Sequence, residues 1–102
     1  MKKRYANKKH LEWVHSFDCC LKRFDNCLGA IQAHHLLKPW DGFRGMGMKA
    51  TDRNLIPLCL HHHTELHKRG NEKAFFLEKT KDEDFGKNQA ESLWEISPHN
   101  ED

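Results

Sequence analysis

In the stretch Leu55-Ile56-Pro57-Leu58-Cys59-Leu60-His61-His62-His63-Thr64-Glu65-Leu66-His67-Lys68-Arg69-Gly70, a short apolar run passes directly into a histidine-rich segment. The run at 55–58 predicts a short strand. Pro57 confines it to an edge or a bend, because proline has no N–H to give to a sheet. Residues 61–69 predict a helix that stops at Gly70, a favoured residue past a helix end, after Lys68 and Arg69. On that helix His63 and His67 are four apart and share a face, the spacing at which two imidazoles can grip one ion. Asn71 is placed to cap a second helix over 72–79.

Upstream, A-I-Q-A-H-H-L-L (30–37) predicts a strand closed by Pro39. Side chains alternate along a strand, so His34 and His35 point to opposite faces and cannot do the same job. Residues 40–53 hold three glycines and predict a long loop, which inside a compact domain is usually functional or wrapped round a site. Leu11 and Val14, with Trp13 and Phe17, give helical spacing over 8–17. Residues 18–29 read as a cysteine-bearing loop or knuckle. Ala90, Leu93, Trp94 and Ile96 suggest a last short helix that packs back on the rest.

The 102 residues include nine His and four Cys, a composition weighted toward metal ligands. One domain is the default at this length, and a core burying roughly 60–65% of the chain's surface is thin without a staple such as a metal. No run of ~18 apolar residues spans a membrane, and no apolar segment follows the basic N-terminus as a secretion signal. The expectation is a reducing, cytoplasmic setting, in which cysteines read as zinc ligands rather than disulfides. Collagen, coiled coil, membrane protein and disulfide scaffold are thereby excluded as leading classes. The net charge of +2 hides a gradient. Residues 1–23 carry seven basic and two acidic side chains, and residues 71–102 carry four basic and nine acidic ones. A basic front half suits approach to a polyanion.

Two constellations carry chemistry. The first is His34-His35, Asn54, His63 and His67. A strand histidine joined to the helical pair makes a three-imidazole site with positions left open, which separates a catalytic metal from a structural one. The second is Cys59 and His62, a C-x-x-H, with Cys27 and either Cys19 or Cys20 from the preceding loop. Four N/S ligands form a closed tetrahedral zinc site. The competing reading of these thiols is plain burial, since free cysteines are commonly buried. His61 has no clear role and is expected to face solvent.

The runs A-H-H-L-L (33–37), D-R-N-L-I-P-L-C (52–59), H-H-T-E-L-H (62–67) and G-N-E-K-A-F-F (70–76) resemble the HNH, or His-Me finger, endonucleases. Within that superfamily they resemble small phage and prophage nucleases related to the RecA-dependent nuclease of phage P1. The similarity covers roughly residues 10–80, and the separations (nine from Asn54 to His63, four from His63 to His67) agree with the HNH pattern. It implies an α+β fold: a small ββα-metal domain with flanking helices and a structural zinc knuckle. Residues 1–102 would form one nuclease domain. In it, 1–18 is a basic N-terminal arm and helix, 19–70 the knuckle plus ββα-metal core, and 71–102 the C-terminal helices and acidic tail. Two departures from the common pattern stand out. Lys22 occupies the place of the second cysteine of the first knuckle pair, and His34 the place of a frequent aspartate.

The resemblance implies a metal-dependent DNA endonuclease of low sequence specificity, with His35 as general base and His34, His63 and His67 as ligands to one divalent cation. Asn54 would accept a hydrogen bond from the ring N–H of His35. An imidazole with an ordinary pKa of about 6.5 can take a proton from water near neutrality. The structural zinc would be held by Cys20, Cys27, Cys59 and His62, with Cys19 possible in place of Cys20. Three imidazoles favour Zn²⁺, Ni²⁺ or Mn²⁺ over Mg²⁺ at the catalytic site, although HNH enzymes often use Mg²⁺. Lys38, Arg44, Lys49 and Arg53 are the best phosphate contacts, which would be sequence-independent and salt-sensitive; Lys68 and Arg69 are secondary candidates. A phage or host partner of recombinase type follows from resemblance alone, and oligomeric state is left open. The alternative is a non-catalytic, zinc-stabilised module that binds nucleic acid or protein.

Overall fold

The computed structural model describes residues 5–42 and 49–100. Its centre is an antiparallel hairpin of β1 (Ile31–His35) and β2 (Leu55–Cys59), paired from Ile31 opposite Cys59 to His35 opposite Leu55. Pro57 faces Ala33 across the ladder, and its carbonyl accepts the N–H of Cys20 at 2.9 Å. A two-stranded sheet has only edges, which is how a proline is accommodated in β2. All five β2 residues are buried, whereas along β1 only His34 is. The strand at 30–37 is thus shorter than the sequence suggests.

Four α-helices surround the hairpin among the described residues: α1 (Lys8–His15), α2 (Leu60–Arg69), α3 (Glu72–Thr80) and α4 (Phe85–Ile96). Their ends follow local chemistry. Asn7 caps α1 by accepting from the N–H of His10 at 3.0 Å, and Asn71 caps α3 through Ala74 at 3.0 Å. Each oxygen satisfies a donor that the first helical turn cannot. Gly70, at φ 71°, closes α2 in the left-handed conformation that glycine adopts without strain. The sulfur of Cys59 caps the other end of α2, accepting from the N–H of His62.

Leu21, Leu36, Ile56, Leu58, Leu66, Phe75, Phe76 and Ala90 form the core where hairpin, α2, α3 and α4 meet. The last helix is longer than its apolar spacing suggests, with Ile96 exposed rather than packed. Gly86 lies inside it. A Cβ there would stand 2.6 Å from a ring carbon of buried Phe76 and 3.3 Å from Leu36. Gly86→Ala is therefore expected to destabilise the fold by about 1–3 kcal/mol through overpacking, lowering the urea midpoint. A raised midpoint, as helix propensity alone demands at about 1 kcal/mol in favour of alanine, would show that the ring gives way freely. No helix among the described residues is long and apolar enough to cross a membrane.

Candidate functional site

The hairpin and α2 bring His34, His63 and His67 together, with one ligating atom of each within 4.8 Å of the others. The Nε2 atoms of His63 and His67 are 3.1 Å apart. Two nitrogens on one tetrahedral zinc lie about 3.3 Å apart, given Zn–N bonds of about 2.0–2.1 Å, so the pair fits a shared cation. Burial, followed by the neighbouring His34 and His67, pushes the pKa of His63 down to about 4. At neutral pH its imidazole therefore carries a lone pair rather than a second proton. His35 and Lys49 line the same cleft, of about 280 Å³, with Lys49 exposed.

His35 is held by a different residue from the one expected. Its Nε2 lies 2.7 Å from Oδ1 of Asp52, and Oδ2 of Asp52 accepts the backbone N–H of Asn7 at 2.7 Å. Asn54 faces away from that pair. Its Oδ1 accepts the N–H groups of Trp40 at 2.8 Å and Asp41 at 3.2 Å, and its amide nitrogen donates to Asp41 O and Thr51 Oγ1. Asn54 pins the two ends of the inter-strand loop instead. An amide offers both donors and acceptor to backbone, which suits it to that task, whereas a carboxylate only accepts and so suits a donating ring.

Glu72, from the first turn of α3, reaches His34 with Oε2 2.9 Å from the ring Nε2. Sequence reading missed both acids. The only signal was a carboxylate two residues before Asn54 and another two residues after Gly70.

The second cluster comprises Cys19, Cys27, Cys59 and His62. The Nδ1 of His62 is 3.6, 3.7 and 3.1 Å from the sulfurs of Cys19, Cys27 and Cys59. A tetrahedral zinc with bonds of about 2.3 Å to sulfur and 2.0 Å to nitrogen separates N and S by about 3.5 Å, so this donor set fits a structural metal. The expected ligand Cys20 is replaced by Cys19. Cys20 is not among the converging donors, and burial raises its thiol pKa. Burial opposes ionisation of Cys59, but the N–H groups of His62 and Leu28 bring its pKa below the ordinary value. On the far side of the ring, His62 Nε2 meets Asp25 at 3.0 Å. His62 and then Lys79 hold the Asp25 carboxyl well below the usual range. Asp25, His61, His62 and Glu65 also converge, but the Lys79 ammonium already sits 2.9 Å from Asp25 and 2.8 Å from Glu65.

Of the four proposed phosphate contacts, Lys38 and Lys49 are exposed, and Arg44 lies outside the described residues. Arg53 is engaged elsewhere: its guanidinium lies 3.9 Å over the Tyr5 ring and 3.2 Å from Asp41. Stacking and the ion pair make it a brace between the N-terminal segment and the loop. His61 is exposed, as expected. His10 is buried against Trp94 with Nδ1 2.9 Å from Ser97 Oγ.

The family model described as "Protein of unknown function (DUF968)" matches residues 1–83, and the chain belongs to that family. It is similar to "Uncharacterized protein YdfU" of Escherichia coli (strain K12), at 38% identity over 68 residues. That match covers 65% of this chain but 17% of the relative, so the chain spans under a fifth of that protein's length. No solved structure matches.

Proposed function

We propose that this member of the DUF968 family is a metal-dependent DNA endonuclease of HNH type, hydrolysing phosphodiester bonds with low sequence specificity. The observation that carries the reading is the convergence of His34, His63 and His67 beside a fourth imidazole, His35, that a buried aspartate orients. A purely structural metal site has no use for an oriented base next to it.

As a carboxylate Asp52 can only accept, so the ring hydrogen of His35 sits on Nε2, facing it, and the lone pair on Nδ1. That nitrogen takes a proton from water as the water oxygen forms its bond to phosphorus. The P–O3′ bond breaks, and the leaving oxygen takes a proton from solvent water to become a 3′-hydroxyl opposite a 5′-phosphate. His34, His63 and His67 would hold the divalent cation, whose charge offsets the negative charge building on phosphate and leaving oxygen. Lys49, on the rim of the cleft, supplies a phosphate contact. The thiolate cluster would hold zinc, tying the knuckle to the start of α2.

Supercoiled plasmid incubated with the protein and Mg²⁺, Mn²⁺, Ni²⁺ or Zn²⁺ is expected to convert to nicked or linear form. Conversion should stop with chelator, return on adding the cation, and weaken as salt rises. Intact plasmid under every cation, with the helical circular dichroism signal retained, would sink the enzyme reading and leave a metal-stabilised binding module.

A further inference from the structure

Three inward-facing imidazoles each meet an acid from a different part of the chain: His62 with Asp25, His35 with Asp52, and His34 with Glu72. The third pair goes furthest. The Glu72 side chain is only 4% exposed, and its carboxylate is bonded on every side. Oε1 accepts the N–H groups of Leu37 at 3.1 Å and Lys38 at 3.0 Å. Oε2 accepts the N–H of Leu37 at 3.0 Å and lies 2.9 Å from Nε2 of His34. Burying a carboxylate without such partners would be costly. Helix capping does not account for it, since Asn71 already caps α3.

Backbone donors make acceptors of both Glu72 oxygens, so the hydrogen in the contact with His34 belongs to the ring. A neutral imidazole has one such hydrogen. We infer that Glu72 is a positioning residue for the three-imidazole site: it fixes His34 with its hydrogen on Nε2 and leaves Nδ1 as the nitrogen that ligates the cation. Partners of this kind set ring orientation and tautomer at metal sites, and losing one typically weakens metal binding about 10–100-fold. Glu72 also ties the turn at Leu37 and Lys38 to the same ring, so α3 sets where β1 ends relative to the site. The inference rests on reading His34, His63 and His67 as a cation site and does not require that the site cut DNA.

Long-range ¹H–¹⁵N spectra of the full chain, with zinc at the cysteine cluster, read the His34 tautomer directly. The wild type should show the hydrogen on Nε2, and Co²⁺ titration should fill the three-imidazole site. In Glu72→Gln the amide keeps its oxygen on the backbone donors and presents N–H to the ring. His34 should then switch its hydrogen to Nδ1, and Co²⁺ affinity should fall about 10–100-fold. A wild-type His34 carrying its hydrogen on Nδ1 would overturn the inference, even if the variant fails to fold. So would a folded Glu72→Gln with unchanged tautomer and affinity. If the predicted switch occurs in a protein that leaves plasmid intact, the positioning role stands and the nuclease reading falls.

Discussion

Replacing His35 with alanine is expected to slow plasmid nicking by about 10²–10⁴-fold, the usual contribution of a positioned general base, while the cation at His34, His63 and His67 stays in place. The site geometry separates these two effects. His35 lines the same cleft as His34, but its ring is turned to Asp52, and the converging group includes His34 and not His35. Truncating His35 therefore removes a proton acceptor without removing a ligand. Asp52→Asn should cut the rate by a comparable factor for a different reason. The remaining carbonyl oxygen keeps the Asn7 N–H, so the amide nitrogen faces His35 and donates to Nε2. The ring hydrogen then moves to Nδ1, which can no longer accept a proton from water. Rates come from nicking at saturating cation, and metal content from elemental analysis. Loss of the cation in His35→Ala would make His35 a ligand and not the base. Undiminished nicking in Asp52→Asn would reduce Asp52 to a brace for the N-terminal segment.

What the sequence made legible was local. His63 and His67 share a face because an α-helix repeats every 3.6 residues; Gly70 and Asn71 mark a stop and a start whose physics lies within one turn. Strand alternation likewise separates His34 from His35. The partners of those histidines were not legible, because they depend on how distant segments close. Glu72 is 38 residues from His34, and Asp52 is 17 from His35. Neither spacing has a period. Arg53 illustrates the same limit: beside the loop it reads as a phosphate contact, yet its partners include Tyr5 and Trp94, far away on either side in the chain. Gly86 shows the same dependence on distant packing, since glycine inside a helix is usually a weakness and here makes room for the Phe76 ring.

Cys59→Ser is expected to release the structural metal and lower the melting temperature by more than about 10 °C. A structural zinc contributes its binding free energy to folding, on the order of 10 kcal/mol in small zinc modules. In a domain of this size each kcal/mol moves the midpoint by about 4–8 °C. Cys59 has two structural duties, since it ends β2 and its sulfur caps α2. Chelation of the wild type should move the midpoint in the same direction, as should acidification, because protonated thiols and imidazole release the ion. The adjacent cysteines decide between the two ligand sets that the sequence left open. Cys19→Ser should repeat the loss of metal, because its sulfur faces His62 Nδ1. Cys20→Ser should keep the full metal count, because Cys20 lies outside the converging donor group. The reverse pattern would restore Cys20 as the ligand. An unchanged melting temperature and metal content in Cys59→Ser would remove the closed site altogether, leaving four buried or half-buried thiols and a core that stands without a staple.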